Sequence, residues 1–322
     1  LKSFYKIVIK VTKQFFPKNY HKIYPQILRL HTWVGYDVDG RGDIFWNNTF
    51  SKRLQVKIEQ LKIYFKSISD LLKKSDNKHS QKILLSLKKK LNLAILLNEK
   101  IFKSFSRNDF LENHEEFKKI SNFMFKKKKD LITDSNLILN SIEEVISFEI
   151  KNKIKKKSII DDLILLKIEI KNLGLGLGRT QVRLNANQLN NAISKEIDLK
   201  GDPDDPSRKR TYLSEISKLI EKVKAVKINF GSILEENMNA RRYFMVIKQM
   251  LKYIDENQSI RFLIAECDFS LTVMTALYYS KLFGVEEKVD ISPLFETEKG
   301  LSSGHIVIST LLKNNHYKKY II

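Results

Sequence analysis

Residues 261–297 read RFLIAECDFSLTVMTALYYSKLFGVEEKVDISPLFET, and this stretch decides the fold. Residues 261–265 form a short apolar run of the kind found in a buried strand, residues 271–283 read as a helix, and residues 289–292 form a second short strand. Glu296 stands just beyond the end of that second strand. Strand, helix, strand in this order predicts a parallel βαβ unit, since parallel neighbours need a crossover between them.

Working upstream, residues 238–254 and 212–226 read as helices. Before them Gly201-Asp202-Pro203-Asp204-Asp205-Pro206 is a loop by its turn chemistry. A glycine-rich run from Gly174 leads into a β-capable segment, residues 180–184. The block 51–173 reads as stacked helices: Leu54, Ile58, Leu61, Phe65, Ile68 and Leu72 recur at three- and four-residue spacing, and so do Leu84, Leu87, Leu91 and Ile95. Polar breaks at 75–80, 106–109 and 133–136 separate these helices. The expected fold class is therefore helix-dominated α/β. Its expected segments are 1–50, a helical block 51–173, and an α/β segment 174–322. Neither end of the sequence carries a cap, a Gly/Pro stop or a polar tail, and both are read as cuts.

Composition narrows the function classes. The chain of 322 residues is 43% hydrophobic and has one cysteine, Cys267, which excludes an internal disulfide framework and fits a reducing, cytoplasmic setting. The most apolar stretch, 159–170, is interrupted by Asp161, Asp162, Lys167 and Glu169, so no membrane span is expected, and no membrane partner either. Residues 1–13 alternate lysine with apolar residues and lack the continuous run of a secretory signal. The net charge of +21 raises the alternative of a basic helical protein that binds nucleic acid or an acidic partner. However, the excess is mostly lysine, scattered beside Asn, Ile and Phe that share A/T-rich codons. Its densest runs, 88–90, 126–129 and 155–157, contain no arginine, the preferred reader of bases and phosphates. They are expected to be solvated faces, and no specific nucleic-acid partner is expected.

Three segments carry chemistry. Residues 31–43, His-Thr-Trp-Val-Gly-Tyr-Asp-Val-Asp-Gly-Arg-Gly-Asp, resemble a calcium loop, yet Arg41 falls where an oxygen ligand is needed and Asn48 where a bidentate carboxylate closes the cage. A tight turn is the plain alternative. In the second segment, 174–188, the glycines precede a strand, whereas a dinucleotide fingerprint follows one. If 182–187 is extended, Arg183, Asn185 and Asn187 share one face. A polar face on a buried strand favours a site. In the third, Glu296 is either a metal ligand at a strand end or a cap for the next helix.

Together these segments resemble phosphoenolpyruvate carboxylase. Residues 33–40 resemble that family's Trp-x-Gly-Gly-Asp-Arg-Asp-Gly, and residues 182–188 resemble its Val-Arg-Leu-Asp-Ile-Arg-Gln. Residues 293–297, Pro-Leu-Phe-Glu-Thr, are identical to its own, and the strand and helix before them (262–279) are similar as well. The resemblance implies part of a parallel α/β barrel wrapped in helices, usually a homotetramer. It implies carboxylation of phosphoenolpyruvate by bicarbonate to oxaloacetate and phosphate, with Mg²⁺ or Mn²⁺ as cofactor. Glu296 matches a family metal carboxylate. Asp37, Asp39, Arg41, Arg183 and Asn187 are the implied substrate-binding residues. Two positions depart from the pattern: Asn187 stands where the family has a phosphate-binding arginine, and Val38 where it has an arginine between two aspartates. These departures fit a divergent bacterial-type branch, with Arg183 and Arg41 as compensating charges. The family's catalytic histidine, a lysine and a Gly-Arg-Gly-Gly loop do not occur in this sequence, so the chain alone is expected to be inactive.

Overall fold

The computed structural model describes residues 2–23, 27, 30–39, 44–151, 159–176 and 178–322. In chain order its elements begin with α1 (Lys2–Phe15), β1 (His31–Thr32), α2 (Trp46–Lys74), α3 (Lys78–Phe105), α4 (His114–Lys127), α5 (Asn136–Lys151) and α6 (Ile160–Leu173). There follow β2 (Arg179–Asn185), α7 (Ala186–Ile193), α8 (Lys209–Lys222), α9 (Phe230–Glu235) and α10 (Asn239–Tyr253). The last are β3 (Ile260–Ala265), α11 (Ser270–Leu282), β4 (Val289–Pro293), α12 (Glu298–Lys313) and α13 (Asn315–Ile321). The protein is a helix-dominated α/β structure with a four-stranded sheet in the order β1-β2-β3-β4. The lysine run 155–157 lies outside the described residues.

Two compact units divide the chain. The first comprises Leu1–Thr32, Ser51–Arg179 and Leu251–Asn257. Its core follows from the apolar periodicity: Leu54, Ile58, Leu61 and Ile68 of α2 and Leu84, Leu87, Leu91 and Ile95 of α3 are buried, and Phe65 and Leu72 pack partly against them. Asn77 caps α3 by accepting from the amides of His79 and Ser80, which satisfies two donors that the first turn leaves free.

The same unit hides a polar cluster. Arg53, Lys57, Gln60 and Tyr64 lie one turn apart on α2, and all are buried. Arg53 Nη2 meets Asp255 Oδ2 at 3.1 Å, and its Nη1 donates to the Leu175 carbonyl at 3.3 Å. Asp255 also accepts from the Leu175 amide at 3.0 Å, and the Tyr64 hydroxyl donates to the Gly174 carbonyl at 2.7 Å. The glycine-rich run thus serves packing. A side chain at Gly176 would collide with the Arg53 guanidinium, and Gly178, at φ 102°, leaves room for the backbone of Leu30.

The second unit comprises Trp33–Phe50, Thr180–Met250 and Gln258–Ile322. β2 and β3 pair in parallel with Arg183 opposite Leu263. β3 and β4 do so with Leu263 opposite Ser292. Thr180, Val182 and Leu184 are buried, whereas Gln181, Arg183 and Asn185 are half-exposed. One sheet face is therefore apolar and the other polar. The apolar face is covered in part by Phe244, stacked on Phe262 with ring centroids 4.6 Å apart.

Strand β2 ends at Asn185, two residues before Asn187, so the condition that 182–187 be extended is not met at its end. Asn185 is the reason. Its side chain accepts from the Asn187 amide and the Gln188 side chain returns to the Asn185 amide, a capping box that turns the chain into α7.

At β4 the Tyr320 hydroxyl accepts from the Ile291 amide at 2.7 Å and donates to the Val289 carbonyl at 2.6 Å. These are ladder groups on the strand's edge, and the tyrosine stands in for a neighbouring strand. Tyr320→Phe leaves both without a partner. It is expected to lower unfolding stability by about 1–3 kcal/mol in urea titration. An unchanged midpoint would mean that water replaces the hydroxyl at no cost.

Candidate functional site

Arg183 sits near the carboxyl end of β2, and three segments distant in sequence supply its partners. Residues 36–38 run beside β2: the Val38 amide donates to the Arg183 carbonyl and the Arg183 amide to the Tyr36 carbonyl, both at 3.1 Å. Alternation then places Asp37 and Asp39 on the side of Arg183 and Val38 on the opposite side, where it is 3% exposed. A valine between the two aspartates is thus a core residue. Residues 34–36 form a turn, closed by the Tyr36 amide on the Trp33 carbonyl at 2.9 Å, Asp37 then bridges to β2, and Asn48, the would-be closing calcium ligand, lies within α2.

The guanidinium of Arg183 is shared. Nη2 lies 2.9 Å from Asp39 Oδ2 and 3.5 Å from Glu296 Oε1, and Nη1 lies 3.9 Å from Asp37 Oδ2. Asn185 Nδ2 donates to Asp39 Oδ1 at 3.2 Å and to Glu266 Oε2 at 2.9 Å. Four carboxylates therefore meet one guanidinium and one amide. Their side chains are only partly exposed, 18% for Asp39 and 41% for Glu296, so solvent still screens each pair.

The strand ends fix this geometry locally. Glu266, directly after β3, has φ 52°, a left-handed conformation uncommon in a residue with a side chain. The turn points its amide at Glu296 Oε1, 3.1 Å away. Strained backbone of this sort collects at functional sites. After β4, each residue of the Pro-Leu-Phe-Glu-Thr stretch has a task. Pro293 ends the strand opposite Ile264, and Leu294 exchanges backbone hydrogen bonds with Ile264 and Cys267. The Phe295 ring packs on Gly304 of α12, Glu296 faces Arg183, and Thr297 caps α12 by accepting from the Gly300 amide. Capping falls to Thr297, which leaves the Glu296 carboxylate for the cluster. Cys267 is buried, and burial pushes its thiol up to about 12, so it is no nucleophile at neutral pH.

Of the residues singled out in the sequence, Arg183, Asp37, Asp39 and Glu296 come together. Asn187 does not join them as a strand residue: it is exposed at the start of α7, and its amide is used by Asn185. Arg41 lies outside the described residues. Sequence reasoning missed Glu266. The signal was present, since Glu266 follows β3 as Glu296 follows β4, and the rule applied to one strand end applies to the other.

A divalent cation can be tested against the donor set. All donors are hard oxygens, which suit Mg²⁺ or Mn²⁺, and Mg²⁺ is commonly held by one or two carboxylates with water and substrate oxygens completing the shell. Among the described residues no three carboxylates form a closed metal-holding group. The carboxylates at the strand ends, Glu296 and Glu266, are of the donor type that an open Mg²⁺ or Mn²⁺ site uses. No protein-family model matches this chain, and no curated protein matches it either.

Proposed function

We propose that the chain takes part in the carboxylation of phosphoenolpyruvate by bicarbonate, the reaction of the family its motifs resemble. One observation carries this reading. Stretches that resemble that family meet at the ends of parallel strands: Arg183 pairs with Asp39 and with Glu296, 113 residues away in sequence, and Asn185 bonds Asp39, 146 residues away. Open α/β sheets bind ligands outside those ends. In this reading the strands belong to a TIM-like barrel and the polar sheet face is its interior. The assembly is a homotetramer in the cytoplasm.

The residues divide the work by chemistry. Arg183 offers a planar fork of donors to the substrate's phosphate or carboxylate. Nη2 already faces Asp39 and Glu296, so an incoming anion competes with those carboxylates for it. Asp37 and Asp39 orient the fork, and Asn185 ties Asp39 to Glu266. Glu296, with Glu266, would hold Mg²⁺ or Mn²⁺, which when bound supplies Lewis-acid stabilisation of the enolate oxygen. Asn187, exposed at the start of α7 and outside the cluster, stands where the family has an arginine and brings no charge to hold phosphate.

Calorimetric titration of phosphoenolpyruvate into the chain with Mg²⁺ present tests this. Arg183→Ala is expected to weaken binding about 10- to 100-fold, the size of a lost charge-assisted hydrogen bond. Glu296→Gln is expected to reduce Mn²⁺ binding, read by the resonance signal of the free ion. Native affinity in Arg183→Ala, or no binding to the native chain, would sink the proposal. A second reading, a homologue without activity, draws on Asn187. Phosphoenolpyruvate binding without bicarbonate-dependent oxaloacetate formation by the complete enzyme would favour it.

A further inference from the structure

The first 36 residues contain seven basic side chains and no acidic one; the first carboxylate of the chain is Asp37. Within this segment α1 docks on α6 by one face only. Tyr5 and Ile9 are buried, Lys2 pairs with Glu169 at 3.3 Å, and Lys13 pairs with Asp161 at 2.9 Å. Away from that face Phe4, Ile7, Val11 and Phe15 recur at helical spacing and are 39%, 63%, 45% and 73% exposed. Phe16, just past the helix, is 55% exposed. An apolar stripe this continuous on a folded surface marks a site of contact. Lys6, Lys10 and Lys18 are exposed beside it.

We propose that α1 is a peripheral membrane-binding element that lies flat on an anionic lipid surface, with its stripe in the acyl boundary and its lysines among the headgroups. Phenylalanine and branched aliphatics on one face, lysines elsewhere and no acid are the composition of a helix that binds in the interface plane. The charge selects an anionic surface. A convex stripe needs no complementary groove on a bilayer, and lysine stems reach from the apolar edge to phosphate. Spanning is a different matter. α1 has 14 residues where a span needs about 20, and no described helix is long and apolar enough to cross a membrane. The inference is independent of the strand-end cluster.

Co-sedimentation of the full chain with vesicles tests it. Binding to phosphatidylcholine vesicles with about 30% phosphatidylglycerol is expected to exceed binding to pure phosphatidylcholine at least ~10-fold. Ile7→Asp with Phe15→Asp is expected to reduce it about tenfold or more, because two buried apolar contacts become charged. Both positions are exposed in the fold, and unchanged circular dichroism would show that the variant is intact. Equal binding by native chain and variant would mean that net charge alone adsorbs the protein, and would overturn the proposal. So would no binding to anionic vesicles, or a concentration-dependent dimer that the double substitution abolishes, which would make a second copy the occupant.

Discussion

Arg53→Met is expected to lower unfolding stability by about 3–5 kcal/mol, the usual consequence of removing one partner from a buried ion pair. Arg53 is 2% exposed and Asp255 3%, so neither charge has water to fall back on. Methionine restores much of the volume, which isolates the electrostatic part from a cavity. The Leu175 carbonyl loses its donor at the same time. Urea titration of the whole chain gives the measurement. Adding Asp255→Asn to Arg53→Met should recover part of the loss, because the orphaned charge is removed with its partner. A single-variant loss under about 1 kcal/mol would show that water reaches the cluster and that the pair behaves like a surface one. Lys74–Asp162, with side chains 57% and 43% exposed, is the contrast: Lys74→Ala should change little.

That cluster marks a limit of sequence reading. The apolar stripe of α2 is legible because Leu54, Ile58, Leu61 and Ile68 repeat with the helical period. Arg53 and Lys57 sit on the same helix and are buried as well, yet among 58 basic residues no local pattern singles them out. Arg53 is buried against Asp255 and the space left at Gly176, and such long-range pairings leave no periodic trace. Similarly, nothing in the composition of residues 33–50 or 251–257 tells that each joins a unit formed mainly by other parts of the chain.

The strands were easier. Short apolar runs bounded by polar residues located β3 and β4 to within a residue, and alternation in β2 pointed to a polar face. The error at Asn187 came from extending that alternation through a residue whose side chain starts a helix. Asn185 with Gln188 three positions on is a capping signature, and at a strand end it outweighs alternation. In the cluster, Arg183 and Glu296 were legible by residue type and position. The sharing of one guanidinium among Asp37, Asp39 and Glu296 was not, because it is set by the pairing of residues 36–38 with β2.

Lys57 carries the second large effect, and its sign is opposite to that of Arg53. Its side chain is fully buried, its ammonium nitrogen has no hydrogen-bond partner among the described residues, and burial pulls its pKa from 10.5 to about 7 despite the opposing pull of Asp255. Below pH 7 the lysine is protonated both folded and unfolded, and the full cost of burying the charge is present. Between pH 7 and 10.5 the unfolded chain binds a proton that the folded chain lacks, so stability contributed by this group rises with pH. Above 10.5 both states are neutral and the cost is gone. Lys57→Met removes the titrating group while keeping its length. The variant is expected to be more stable than the native chain by on the order of 4 kcal/mol at pH 7, with the gap closing towards pH 10. The other lysines and the buried tyrosines titrate in both proteins, so the difference between the two curves isolates residue 57. Parallel curves from pH 7 to 10 would show that Lys57 stays protonated in the fold, held by Asp255 and Glu256. Arg53→Met provides an internal check on the same physics. With the guanidinium gone, the repulsion from Arg53 is lifted while the attraction of Asp255 remains, so the amine should hold its proton to higher pH. The pH-dependent gap between Arg53→Met and the Arg53→Met/Lys57→Met double variant should therefore begin above pH 7 and span a narrower range.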